Sequence, residues 1–325
     1  MRVLKSTEFN SLEQLMGLTQ KELKEAMTNF LKMKYKKVIK HDKYLCAIGD
    51  IPIALVAHLD TVFKYPAQDI YYDPRKNVMW CPDGLGADDR AGVYAIINII
   101  NGGLRPHIIF TTDEEMGGLG AAELAKQPCP FDNLNYILQL DRRGANDCVF
   151  YDCYNPLFIQ HIESFGFIEQ TGSFSDISIL CPAWNICGVN LSIGYQDEHS
   201  YSETLHIGWM FDTINKVKSI LQQESIPQFK YVQAQRNHLS YLHNFFPRQA
   251  EPLSHVKCYR CGYEVEEYDT FMVRTMTGEQ KYCCIDCLDD TIEWCSLCQE
   301  PFEVDLNNPI SLCVDCVEKM NYGED

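Results

Sequence analysis

The chain has 325 residues, 46% of them hydrophobic, with 28 Lys and Arg against 45 Asp and Glu, a formal net charge of -17 and a pI near 4.9. That acidic balance argues against broad contact with nucleic acid phosphates or anionic lipid, and no window approaches the ~20 apolar residues of a membrane span. The length suits one sizeable core plus a smaller second domain. No secretory signal is legible in the first 20 residues. Of the sixteen cysteines, nine crowd into the last 68 residues. That usage predicts metal sites in a reducing compartment, the cytoplasm, rather than disulfides.

Apolar positions at helical spacing over residues 12–33 (Leu12, Leu15, Met16, Leu23, Met27, Phe30, Leu31) predict one surface helix. Two alternating runs, 35–39 and 44–48, split by His41-Asp42-Lys43, read as a hairpin. Residues 51–57 are nearly continuously apolar, as expected of a strand buried on both faces, and lead into His58-Leu59-Asp60. After short strands comes Gly-Ala-Asp-Asp-Arg-Ala-Gly at 86–92, the turn into an apolar helix over 93–100. Two adjacent carboxylates at a helix start must cap the helix or hold positive charge. The pair is therefore either an N-cap or a metal site in which Asp88 places one oxygen on each of two cations. Residues 107–112 read as a second buried strand, ending in Asp113-Glu114-Glu115, and a turn with Gly117, Gly118 and Gly120 opens a helix to about Lys126. A third such strand, 136–140, ends in Asp141. A further strand at 186–193 precedes the loop Gln196-Asp-Glu-His199-Ser-Tyr-Ser-Glu203, and a helix over 207–223 closes the domain. No internal repeat is visible.

The same grammar recurs: an apolar strand whose C-terminal end carries acids or histidine, which is where open α/β sheets gather their ligand sites. His58, Asp60, Asp88, Glu114, Glu115, Asp141 and His199 are the candidates. Imidazole and carboxylate without thiolate suit catalytic zinc. In these motifs, His58-Leu-Asp60-Thr, Gly86-Ala-Asp88-Asp89-Arg-Ala-Gly92, Thr112-Asp-Glu114-Glu115-Met-Gly117, Leu140-Asp141 and His199-Ser-Tyr-Ser-Glu203, the chain resembles the co-catalytic two-zinc exopeptidases. That group contains peptidase T, the aminoacylases and the zinc aminopeptidases, and the likeness covers about residues 35–225.

The resemblance implies a three-layer αβα fold on a mixed sheet and an aminopeptidase or small-peptide peptidase. It implies that His58 and Asp141 bind one zinc, Glu115 and His199 the other, and that Asp88 bridges them. Manganese or cobalt suits the same ligands. Asp60 would orient His58 through its second ring nitrogen, Glu114 would be the general base, and the Asp88–Asp89 peptide bond would be cis. Two departures bear on substrate. The lid domain of the peptidase T and aminoacylase branch is missing, since 33 residues lie between Asp141 and Ser175, and the insertion of the other branch is missing, since 27 lie between Asp60 and Asp88. The stretch Gly172-Ser-Phe-Ser-Asp176 lacks the arginine that holds a substrate carboxylate in lidded relatives. Arg142 or Arg143 could replace it, or be a surface charge. A non-peptidase amidohydrolase or deacylase, and a binding protein that keeps only the fold, are the alternative readings.

Four CxxC pairs follow: Cys258/Cys261, Cys284/Cys287, Cys295/Cys298 and Cys313/Cys316. Such pairs are the knuckles of four-cysteine zinc sites, so two closed structural zincs are expected. Either sequential pairing or a cross-brace satisfies the spacing, with sequential pairing preferred because each half closes a compact loop; Cys283 is a spare. The expected domains are 1–224 catalytic, 225–250 connector and 251–325 zinc-binding. From Glu251 to Asp325 there are 17 acids against 5 bases, which disfavours nucleic acid. The zinc module is expected to stabilise the chain, dock a protein partner, or pack near the strand ends and shape the pocket.

Overall fold

The computed structural model describes residues 6–233, 255–266, 270–284, 287, 292–295, 301–304, 313 and 316–317. The chain divides into two compact units, Met1–Gln235 and Arg236–Asp325. Among the described residues no helix is long and apolar enough to cross a membrane.

The first unit is a three-layer α/β structure. It opens with two helices, α1 (Ser6–Met16) and α2 (Gln20–Lys34), where the periodicity predicts one. The break has a local cause. Thr19 caps α2 in a capping box, accepting from the Glu22 N–H at 3.3 Å while the Glu22 carboxylate accepts from the Thr19 N–H at 3.0 Å. Apolar spacing continues across the break, because Leu12, Leu15 and Met16 of α1 and Leu23, Met27 and Leu31 of α2 are all buried.

The hairpin β1 (Lys37–Lys40) and β2 (Tyr44–Ile48) is antiparallel. It edges an eight-stranded sheet with β3 (Ile51–His58), β6 (Pro106–Thr111), β7 (Tyr136–Arg142), β8 (Asp147–Val149), β9 (Ile168–Glu169) and β10 (Cys187–Ser192), in the order β1-β2-β6-β3-β7-β10-β8-β9. Strands β6, β3, β7 and β10 run parallel. Parallel strands covered on both faces need near-continuous apolar sequence, and every residue of β6 and β10 is buried accordingly. A second sheet joins β4 (Tyr71–Asp73), β5 (Val78–Trp80), β11 (Tyr195–Gln196) and β12 (Thr204–His206).

Helix α3 (Ala87–Asn101) packs on β3 and β7, with α1 and α7 (Ile207–Leu221) against it. α4 (Leu119–Ala125) and α6 (Asp176–Trp184) pack together, with α6 on β7 and β10. α5 (Pro156–Glu163) carries Phe158 into the aromatic contact of Tyr136 and Phe229. After α7 the chain lies back on this unit: the Ile226 and Lys230 carbonyls accept from Asn135 and Asn155, and Tyr231 is buried.

In the second unit β13 (His255–Lys257) pairs antiparallel with β14 (Glu264–Glu266). β15 (Thr270–Arg274), β16 (Gln280–Cys284), β17 (Ile292–Trp294) and β18 (Pro301–Glu303) form a four-stranded sheet. Among the described residues of this unit, the buried apolar groups form two small clusters centred on cysteines, one with Val273 and one with Phe302 and Val304.

Candidate metal centre

Four parallel strands deliver the site to one edge of the sheet. β3 ends in His58, β6 runs into Glu114 and Glu115, Asp141 lies near the end of β7, and the chain after β10 leads to His199. α3 adds Asp88 and Asp89 at a first turn with non-helical backbone angles and a cis peptide bond between them.

Asp88 is central. Its Oδ1 lies 2.9 Å from His58 Nε2 and its Oδ2 3.3 Å from His199 Nε2. Asp141 Oδ1 is 3.5 Å from His58 Nε2, and Glu115 Oε2 is 3.0 Å from His199 Nε2. The polar atoms fall into two groups that share Asp88, His58/Asp88/Asp141 and Asp88/Glu115/His199, each within 4.8 Å. Glu114 forms a third group with His58 and Glu115.

Asp89 turns out to have the capping role. Its Oδ1 accepts from the Gly92 N–H at 2.9 Å and its Oδ2 from the His58 N–H at 3.2 Å, tying α3 to the end of β3. Glycine is required at 92, because a Cβ there would stand 2.2 Å from the Leu140 carbonyl oxygen. Asp60 Oδ2 accepts from the Glu115 N–H at 3.0 Å, while its Oδ1 sits 3.4 Å from His58 Nδ1. Asp60 therefore fixes the Glu114-Glu115 turn as well as facing the imidazole. Arg142 donates to the Thr171 carbonyl at 3.1 Å, and Arg143 pairs with Glu198 at 3.1 Å.

Several residues that the sequence reading gave no role in the site help to build it. Glu203, fully buried, accepts from the Gly86 N–H at 2.6 Å and the Asp88 N–H at 2.9 Å, supplying the acceptor for an α3 start whose N-cap, Gly86, has none. Gln139 donates to Asp141 Oδ2 at 2.9 Å, and Tyr195 donates to its Oδ1 at 3.1 Å. The Asn190 side chain accepts from the Asp141 N–H and donates to its carbonyl. Asp176 accepts from the Thr111 hydroxyl at 2.5 Å. Glu203 closes the motif His199-Ser-Tyr-Ser-Glu203 and Asp176 closes the stretch Gly172-Ser-Phe-Ser-Asp176, whereas Gln139, Asn190 and Tyr195 carried no signal.

The electrostatics test whether cations fit. Burial, reinforced by Asp88, pushes Asp141 up to about 7, and burial, reinforced by Asp141, Asp176 and Glu115, pushes Glu114 up to about 9, with His58 opposing both. His199 is driven up to about 11 by its hydrogen bonds to Asp88 and Glu115. Asp88 is held well below the usual carboxylate range: burial would raise it, but the His199 and His58 hydrogen bonds outweigh that. Buried Glu115 Oε1 and Asp60 Oδ1 have no hydrogen-bond partner. Four carboxylates and two imidazoles thus converge in a field that favours positive charge, with ring nitrogens facing carboxylate oxygens. The donor set fits two divalent cations.

In the second unit the sulfurs of Cys258, Cys261, Cys284 and Cys287 lie within 4.8 Å of one another, as do those of Cys295, Cys313 and Cys316. Cys298 lies outside the described residues. The grouping follows sequential pairing. The Cys284 N–H donates to Cys258 Sγ at 3.3 Å and the Cys313 N–H to Cys295 Sγ at 3.4 Å. Against burial, amide donors from Cys261, Cys284 and Arg260 bring the Cys258 thiol down to about 6, as suits a thiolate ligand. Cys283 is buried outside both groups, its sulfur donating to the Cys284 carbonyl.

The sequence matches no known protein-family profile and no curated protein. Solved structures do match the fold. Aminopeptidase PepT from Bacillus cereus aligns with a TM-score of 0.52 at 14% identity, over 67% of this chain and 98% of that one. A tripeptidase from Staphylococcus aureus gives 0.53 at 12%, over 68% and 98%. A TET aminopeptidase from a marine sediment Thaumarchaeota archaeon gives 0.51 at 13%, again over 68% and 98%. At these identities the likeness is one of fold.

Proposed function

We propose that this chain is a two-zinc peptidase, an aminopeptidase or small-peptide peptidase, that cleaves short peptides. The observation that carries the reading is the shared position of Asp88, whose two oxygens face the imidazoles of His58 and His199 while Asp141 and Glu115 close the two groups. His58, Asp88 and Asp141 would hold one ion, and Asp88, Glu115 and His199 the other; manganese or cobalt would suit the same donors. Two such cations, when bound, supply an acidified water and a polarised amide carbonyl.

The chain's own residues do the rest. Glu114, within the same cluster but outside both shared groups, accepts the proton of the attacking water and returns it to the leaving amine as the C–N bond breaks. It must be ionised to do so; burial and the neighbouring carboxylates raise its pKa despite His58, and cations held by the neighbouring ligands would bring it back down. Asp60 holds the Glu115 amide, Gln139 and Tyr195 hold the Asp141 oxygens, and Glu203 holds the Asp88 amide. Each fixes a donor group before substrate arrives.

In the second unit, the four-cysteine group and the Cys295/Cys313/Cys316 group completed by Cys298 would each hold a structural zinc. We place the protein in the cytoplasm, with a protein partner for the acidic zinc module.

Digestion of a peptide library, read by mass spectrometry with and without chelator, tests the function. Chelator-sensitive cleavage near peptide ends is expected. No cleavage of any peptide by protein with measured metal in the site would overturn the reading.

A further inference from the structure

Several of the residues around Asp88 are followed closely by a large apolar side chain left in solvent. Met116, directly after Glu115, is 72% exposed, and Tyr201, two residues after His199, is 73% exposed. Val62 is exposed two residues after Asp60. Singly, exposed apolar side chains are ordinary. Two of these sit beside residues tied into the Asp88 cluster. Tyr201 stands midway between His199, which faces Asp88 and Glu115, and Glu203, which accepts from the Gly86 and Asp88 amides. Met116 follows an amide held by Asp60.

Phe63, on the Asp60 loop, meets the Tyr201 ring at 6.0 Å between centroids. Its ring lies on Gly84, which has φ +91° and where a Cβ would stand 2.2 Å from the ring. Glycine at 84 thus leaves room for the aromatic ring four residues before Asp88. The nearby cations are otherwise engaged: Arg143 pairs with Glu198, Arg142 donates to Thr171, and Lys64 lies over the Tyr65 ring.

We infer that Phe63 and Tyr201 form the wall that receives an apolar side chain of the substrate residue adjoining the scissile bond. The substrate class is therefore short peptides with an aromatic or branched aliphatic residue at that position. The inference rests on the peptidase reading above. Two aromatic rings in contact, one of them over Gly84, gain further contact when an apolar group is laid against them, whereas a charged side chain would give up hydration to sit there.

Initial rates on Xaa-Ala-Ala and Ala-Xaa-Ala, with Xaa as Leu, Phe, Lys or Glu, test it. The natural protein should prefer Leu and Phe in one series by about tenfold or more. Tyr201→Ala should lose about tenfold in kcat/KM on those peptides, mainly through KM, and stay within about twofold on Lys and Glu. Phe63→Leu, which keeps apolar bulk over Gly84, should change the Phe-to-Leu ratio. Equal losses on all four residues, unchanged kinetics, or a natural preference for Lys or Glu would overturn the wall while leaving the peptidase reading intact. Metal-loaded Glu114→Gln protein, titrated calorimetrically with the same peptides, reads recognition without turnover. Tighter binding of Leu and Phe peptides alongside no hydrolysis by the natural protein would sink the peptidase reading and keep the wall; equal binding of all four would sink the wall.

Discussion

Removing the Glu203 carboxylate separates a residue that builds the site from those that would hold metal. Its two oxygens accept from the buried Gly86 and Asp88 amides at 2.6 and 2.9 Å. Glu203→Ala leaves both donors without their acceptor, at a cost of about 1–3 kcal/mol each. Part of that is returned, because burial, and Asp88 beside it, push the Glu203 carboxyl up to about 7, so its charge is itself held at a cost. A net loss of about 2–3 kcal/mol survives the offset. On a unit spanning Met1–Gln235, where 1 kcal/mol moves Tm by about 2–4 °C, the melting point should fall by roughly 4–12 °C. Melting in chelator isolates this amide cost from any contribution of bound metal. Because the Asp88 backbone loses its anchor, zinc affinity of the first unit should also weaken by about 10–100-fold. An alanine variant that melts within about 1 °C of the natural protein and binds zinc equally well would refute the positioning role.

Glu114→Gln should keep its metal and lose about 10²–10⁴-fold in kcat, since the amide preserves shape but takes no proton; a metal-loaded variant with normal turnover would remove the general-base assignment. Elemental analysis should find about four zincs per chain, and mild chelation should empty the carboxylate-histidine sites first, because closed four-cysteine sites hold on the order of 10–16 kcal/mol of apparent binding energy. Buried His107 accepts from the Gly49 N–H through Nδ1 and meets Asn133 through Nε2, and burial lowers its pKa below 6.5. The unfolded chain therefore takes up this proton first: the contribution to stability is full above about pH 6.5 and declines as pH falls through the lowered value. His107→Gln should lose less stability than the natural protein between pH 7 and 5, and parallel pH profiles would contradict the assignment.

The legible parts of the fold were those whose burial is one-dimensional. β3, β6 and β7 are covered on both faces, so their apolar runs stand out unaided, and the residues at their C-terminal ends inherit a common edge from parallel pairing. The first two helices were run together because apolar spacing crosses Gly17 and Leu18 almost in phase, whereas the Thr19 capping box that separates them is a local signal of a few hydrogen bonds. α5 had a readable start in Asn155-Pro156, a cap followed by proline at N1, but only eight residues of helix to support it. α6 hides its pattern further by carrying Pro182 inside its last turn.

Apart from Asp60, the residues that orient the site were illegible for a different reason. A candidate ligand sits next to a structural landmark, such as a strand end or a helix start, while its orienting partner comes from wherever the fold brings a polar group close. Glu203 and Asp88 are 115 positions apart, and Tyr195 and Asp141 are 54 apart. Nothing in spacing or periodicity links such pairs, because the hydrogen bond exists only once two sheets and α3 have packed. Yet these contacts decide whether five donor groups converge or merely share an edge, for a ligand displaced by an ångström no longer shares its ion. Chemistry can thus be read from residue types at strand ends, but its precision depends on long-range pairs that appear only in three dimensions.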